Sequence, residues 1–313
     1  MIKAMPTTAR SSTSKDAQTR AVAEITFAGS LWGFGFIATV WTLQIMGPAW
    51  MTVLRFGIAA AVVILPCWAL KKSAFRGAPA RAHFTAAAPA GFFLAGVIVF
   101  QGAGLLHTTA TNSGFITCLY ILFVPLFEAL FLKKRLHHLH GLFVAVALVG
   151  TALICKLNLA DLNASKTLRG DALTLIASLF ATGQILAVGK ASRKISSVLA
   201  FNAYQSLWAA LLALPLALLL ESGPVFAGVK PLVGGLGFLV FGATLVAFHL
   251  QVKGQQVLSP AVASMLFLLE SPFAALFAAW LLGERLDGMQ WFGAGLIFAA
   301  AYGVVALETK ATT

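Results

Sequence analysis

The sequence predicts an all-α integral membrane protein of ten transmembrane helices, built as two inverted five-helix repeats. Three observations predict it. Apolar residues make up 59% of the 313 and charged residues only 10%, and mean hydropathy is +0.89; a soluble domain averages about 25% charged residues, so too few are present to cover a water-facing surface. The apolar residues fall in runs of bilayer-spanning length. Basic residues gather in alternate loops, on one side of those runs, and the two halves of the chain match at a shift of about 150 residues.

In order, the runs cover residues 22–41, 51–70, 84–104, 112–132 and 139–156, then 171–189, 199–220, 231–251, 260–282 and 289–307. Each is close to the roughly 20 apolar residues that cross a hydrocarbon core. Short breaks such as Met46-Gly47-Pro48 and Ser259-Pro260 punctuate them, because Gly and Pro favour turns between helices. Residues 1–20 are basic and Ser/Thr-rich, with no apolar core for a signal peptide, and are expected to form a disordered cytoplasmic tail; scarce acids leave a transit peptide as the alternative.

Sixteen of the 22 Lys and Arg residues fall on one side of these spans, in groups such as Lys71-Lys72, Lys133-Lys134-Arg135 and Lys190 with Arg193 and Lys194. The other side holds five, among them Lys156, Lys166 and Arg169. Basic loops stay cytoplasmic, so both termini are expected inside the cytoplasmic (inner) membrane. The formal charge of +12 therefore reads as topology, and no nucleic-acid partner is expected.

The repeats are assigned to residues 21–156 and 171–308. Ser30-Leu31-Trp32-Gly33 answers Ser178-Leu179-Phe180-Ala181, Pro66 answers Pro215, Gly141 answers Gly293, and Lys133-Lys134-Arg135-Leu136 answers Gly283-Glu284-Arg285-Leu286. Five helices per repeat is an odd number, so equivalent loops lie on opposite sides, as their unequal charges require. Inverted repeats with a site between the halves are a recurring design of secondary transporters.

These stretches, with Phe115-Ile116-Thr117, Leu119-Tyr120, Val124-Pro125, Leu268-Leu269-Glu270-Ser271-Pro272 and Gly293-Ala294-Gly295-Leu296-Ile297, resemble the drug/metabolite transporter superfamily, in particular its EamA-type ten-helix exporters. The resemblance covers nearly all of residues 22–307 and is closer in the second half. It implies a metabolite or amino-acid exporter working by proton exchange or facilitated flow.

Glu270 heads the candidate residues. A carboxylate at mid-bilayer costs about 2.5–3.5 kcal/mol on the milder transfer scale, and one that exchanges its proton there responds to a proton gradient. The alternative is a neutral acid capping backbone carbonyls freed by Pro272. Tyr120 is its counterpart at the 150-residue shift. His249 is a second candidate for proton coupling.

Trp32, Gln101, Tyr120, Gln184, Asn202, Tyr204 and Gln205 are the candidate substrate-binding residues: the neutral hydrogen-bonding groups suit a zwitterionic or sugar-like ligand, and Trp32 offers an aromatic wall for apolar or aromatic substrates, with core packing as its alternative. Ser113 and Thr117 in the fourth span, and Thr174, Ser178 and Thr182 in the sixth, form polar stripes that either line a cavity or bind helix to helix. Arg55 is expected to snorkel to the outer headgroups, the alternative being that it binds an anionic substrate group or pairs with Glu270, and Glu128 is expected to pair with a base at the membrane boundary. Gly29 and Gly33 are expected to permit close helix contact.

His137, His138 and His140 follow a basic run in a short loop and are not assigned to a metal. Neither the spaced ligands nor the phosphate loop that a metalloprotease or an ATPase needs is present in the sequence. The sequence therefore favours a secondary transporter without cofactor, whose partners are a small-molecule substrate and membrane lipid, in a monomer or homodimer. A non-transporting scaffold subunit or an intramembrane enzyme are the alternatives.

Overall fold

The computed structural model describes residues 7–108, 110–131, 133, 138–155, 168–282 and 285–312. Expectations resting on Lys134, Arg135, His137, Lys156, Lys166, Gly283 and Glu284 fall outside these residues. The described residues are helical, with turns between: α1 (Thr7–Thr42), α2 (Pro48–Ala69), α3 (Gly77–Leu105), α4a (Ala110–Thr117), α4b (Tyr120–Phe131) and α5 (His138–Ile154) form the first repeat. The second consists of α6 (Leu168–Ser192), α7 (Val198–Leu220), α8 (Lys230–Gly254), α9a (Pro260–Phe267), α9b (Glu270–Leu282) and α10 (Gly288–Thr312).

Among the described residues nine helices, with α4 and α9 counted across their breaks, are long and apolar enough to cross a membrane, and α5 is a shorter apolar helix. Large apolar side chains such as Leu219 and Trp280 stand 80% and 77% exposed on the outside. In water such a surface would be costly; in hydrocarbon it is the solvated face. The chain is an integral membrane protein. Residues 7–20, expected as a disordered tail, carry helical backbone that continues α1, and Glu24 on that helix pairs with Arg20 and Lys253.

Packing follows the internal pseudo-symmetry. α1 lies against α8 and α9 of the other repeat, and α6 against α3 and α4; α2 pairs with its equivalent α7, and α5 with α10. The α5–α10 crossing is close because glycines meet there: a Cβ on Gly150 would lie 2.7 Å from the Gly293 carbonyl oxygen. Without a hydrophobic force between helices in lipid, such backbone contact and interhelical hydrogen bonds supply the association.

Helix ends are capped between elements. Glu221, just past α7, accepts from the backbone N–H of Ala49 at 2.8 Å and of Trp50 at 2.9 Å, closing the N-terminus of α2. Glu128 does the same for α9a by accepting from Ala261 N at 3.0 Å, so its carboxylate serves a helix start and not merely a boundary charge. Caps of this kind contribute about 1 kcal/mol. Glu221→Ala is expected to lower the midpoint of thermal unfolding in detergent by that equivalent, with Glu221→Gln in between; an unchanged midpoint for both would remove the role.

Candidate functional site

A cavity of about 140 Å³ lies between the repeats. Its wall runs from Trp32, Tyr120 and Glu270 in mid-molecule to Thr39, Met51 and Leu105, which stand where α1 ends, α2 begins and α3 ends. It thus reaches toward the end of the molecule opposite the chain termini. With about 10–15 Å³ needed per enclosed water, the space suits a metabolite of roughly ten non-hydrogen atoms.

Broken helices position the site. α4 is interrupted at Cys118-Leu119 and α9 at Leu268-Leu269, and the hydrogen bonds tighten identically in both. Leu119 N donates to Ile116 O at 3.1 Å and Ile121 N to Cys118 O at 3.1 Å; Leu269 N donates to Leu266 O at 3.1 Å and Ser271 N to Leu268 O at 3.0 Å. The breaks lie side by side, with the Cys118 thiol 3.5 Å from the Ser271 hydroxyl. Each second half-helix opens on a residue that lines the cavity, Tyr120 in α4b and Glu270 in α9b.

Starting a helix at Glu270 explains two things. Its carboxyl sits in the positive field of a helix N-terminus. Pro272 falls in the first turn, where its missing N–H leaves nothing unpaired, so there are no carbonyls freed by Pro272 for Glu270 to cap. Among the described residues no group hydrogen-bonds this half-buried carboxyl.

Opposite it lies Arg55, which does not snorkel outward. It is 5% exposed; its Nε donates to Thr244 Oγ1 at 2.7 Å and its NH2 to the Ala243 carbonyl at 3.3 Å, with the guanidinium 5.0 Å from the Phe56 ring centroid. The acceptors come from a π-helical stretch of α8, Phe241–Val246. Wider turns of this kind interrupt the i−4 ladder and leave carbonyls for outside donors, which is why they recur at functional sites. Trp32 Nε1 donates to the same Ala243 carbonyl at 3.0 Å. Arg55 and Glu270 face one cavity without a direct ion pair between them.

Trp32, Gln101, Tyr120 and Gln184 all line the cavity, and Gln101 Nε2 donates to Thr117 Oγ1 at 3.2 Å. Gln251, which sequence reasoning missed, joins them: its Nε2 donates to Gln184 Oε1 at 2.9 Å and to Gln255 Oε1 at 3.2 Å. Gln255 in turn donates to Ile185 O at 3.0 Å. These three buried glutamines bind α6 to α8, Gln184 and Gln251 at the floor of the cavity and Gln255 beyond it, toward the end that carries the termini.

Other candidates lie elsewhere. Asn202 Nδ2 donates to Thr244 O at 3.3 Å, which ties α7 to α8, and its Oδ1 accepts from Gln205 Nε2 at 2.9 Å within α7; the Gln205 Oε1 is buried without a hydrogen-bond partner among the described residues. Tyr204 packs between Phe75 and Phe84. His249 stands outside the cavity, with Lys253 and Glu24 as charged neighbours. The polar stripes bind helix to helix: Thr174 donates to Ser113 Oγ at 3.3 Å and Ser178 to Thr117 O at 3.0 Å. Of the two stripes, Thr117 and Tyr120 reach the cavity.

Gly33 sets the distance between α1 and the Glu270 half-helix. A Cβ there would lie 2.8 Å from Ala274 N and 2.9 Å from Glu270 O, both backbone atoms. Gly33→Ala must push α9b away, and overpacking costs about 1–3 kcal/mol. The variant is expected to lose thermal stability, whereas Gly57→Ala, whose Cβ would meet Ala210 at an ordinary 3.7 Å, is not. Equal unfolding midpoints would contradict this seat.

Residues 21–156 and 168–306 match the model of the EamA-like transporter family. An uncharacterized transporter of Archaeoglobus fulgidus is 29% identical over 273 residues, spanning 86% of this chain and 80% of that protein. A solved crystal structure shares the fold with a TM-score of 0.74 at 21% identity, covering 94% of this chain and 99% of its own.

Proposed function

Because the chain belongs to the EamA-like transporter family and is a membrane transporter, we propose that it carries small zwitterionic metabolites of the amino-acid kind by alternating access. The observation that carries this reading is a guanidinium and a carboxyl on the walls of one small cavity, Arg55 and Glu270. Arg55 offers a planar fork to a substrate carboxylate. Glu270 accepts from the ammonium group, and Gln101, Tyr120 and Gln184 supply neutral hydrogen bonds between the two.

Direction and coupling follow from the same groups. A carboxyl with no protein partner alternates between a substrate ammonium and a proton, so binding of one releases the other; net export then runs against proton entry. The excess of Lys and Arg on one side of the spans supports an inner-membrane orientation with both termini cytoplasmic. On that orientation the described cavity faces outward, and the Gln184–Gln251–Gln255 contacts form the inner closure.

Counterflow in proteoliposomes tests the reading. A panel of labelled amino acids, their methyl esters and the corresponding decarboxylated amines is offered at two pH values. Saturable exchange of the zwitterions, lost on removal of either charge, is expected. Equal exchange of esters or amines, or no saturable exchange across the panel, would overturn it.

A further inference from the structure

A second cleft, of about 1310 Å³, opens on the side of the molecule between α3, α4b and α6. It exceeds the roughly 300–1,000 Å³ of small-molecule pockets and does not share the central cavity's charged residues. It exists because α3 packs on α4a, near the turn that joins them, and diverges from α4b, leaving a wedge floored by α6. At spanning depth the wedge is walled by Phe93, Phe127, Phe131, Leu179 and Phe180. Phe131 and Leu179 are 71% and 42% exposed, so the wedge is open sideways to lipid.

At the end where α6 stops, the wall turns basic. Lys190, Arg193 and Lys194 line it, all exposed, and among the described residues none has a carboxylate within ion-pair distance. Lys190 in the last turn also answers the helix macrodipole; Arg193 and Lys194 lie beyond the helix and do not. Nearby, His83 Nε2 accepts from Ser197 N at 3.2 Å while its Nδ1 lies 2.6 Å from Pro79 O, which ties the basic loop to α3. Glu128, the acidic residue on this wall, is 1% exposed and turned to the start of α9a.

We propose that this wedge binds an anionic glycerophospholipid, its headgroup phosphate held by Lys190, Arg193 and Lys194 and its acyl chains lying against the phenylalanine wall. An apolar slot open to hydrocarbon, ending in unpaired cations at headgroup level, matches both halves of that molecule and neither a soluble anion nor a neutral lipid. Each Lys or Arg near a membrane surface strengthens anionic-lipid binding by about five-fold, so three amount to about two orders of magnitude.

Native mass spectrometry of the full-length protein, titrated with phosphatidylglycerol or phosphatidylcholine, tests it without reference to transport. Retained phosphatidylglycerol adducts are expected on the wild type, reduced about 100-fold in Lys190→Gln/Arg193→Gln/Lys194→Gln. They are also expected to fall in Ala82→Trp, which fills the wedge and keeps its charge, and to persist in Lys71→Gln/Lys72→Gln. Equal retention of both lipids would overturn the proposal. So would equal loss in the two charge variants, or displacement of the lipid by millimolar inorganic phosphate.

Discussion

Glu270→Gln is expected to abolish pH-driven accumulation while leaving a folded protein that still exchanges substrate at equal pH, about 10–100-fold less efficiently. Two arguments set those effects apart. Glutamine has no proton to exchange, so a pH difference no longer does work on it. As a neutral acceptor it also loses the charge-assisted hydrogen bond to an ammonium group, a contribution of about 1.5–3 kcal/mol. The side chain has no hydrogen-bond partner among the described residues, and it opens α9b, so the isosteric change disturbs little packing. Flux driven by an imposed pH gradient, compared with counterflow at uniform pH, separates the two effects. Unaltered gradient-driven accumulation in the variant would remove Glu270 from coupling.

The second large effect is expected at Arg55. Arg55→Lys retains the charge but not the fork, and Arg55→Ala retains neither. KM for a carboxylate substrate is expected to rise about 10–100-fold in the alanine variant, the range for hydrogen bonds to charged groups, and by less in the lysine variant. The carboxamide analogue of that substrate is the discriminating probe, because its poorer uptake has little left to lose when the guanidinium is gone. A structural role through Thr244 and Ala243 would instead depress both substrates alike. Equal losses for acid and amide would therefore assign Arg55 to holding the π-helical stretch of α8.

The helices and the inverted repeat were legible in the sequence because hydrophobic length and loop charge are imposed by the bilayer itself. The 150-residue shift aligns Tyr120 with Glu270, and both open half-helices. The breaks ahead of them were not legible, since Cys118-Leu119 and Leu268-Leu269 are apolar pairs without Gly or Pro.

Arg55 was misplaced for a related reason. Whether a long cation near a helix end turns out to headgroups or inward depends on acceptors elsewhere in the chain. Those acceptors are carbonyls in a π-helical stretch that reads as an ordinary apolar run; the glycines at 234, 235, 237 and 242 were the one available signal. Asn202, Tyr204 and Gln205 show the opposite limit. Polar side chains inside a span face a cavity or a neighbouring helix with equal ease, and composition does not say which. Glu221 and Glu128 act as caps across 172 and 133 residues of sequence, a separation no local motif reveals.

Alternating access requires that one cavity be reached in turn from the two sides of the membrane. Thr39 lines its described mouth, and Gln255 lies beyond its glutamine floor. Single cysteines at these two positions, in a protein with Cys67, Cys118 and Cys155 replaced, are to be labelled with a membrane-impermeant maleimide from each side. Labelling of Thr39→Cys from outside alone, and of Gln255→Cys from inside alone, with substrate raising one rate as it lowers the other, is the predicted result. Rates that do not respond to substrate, or labelling of both positions from the same side, would contradict it.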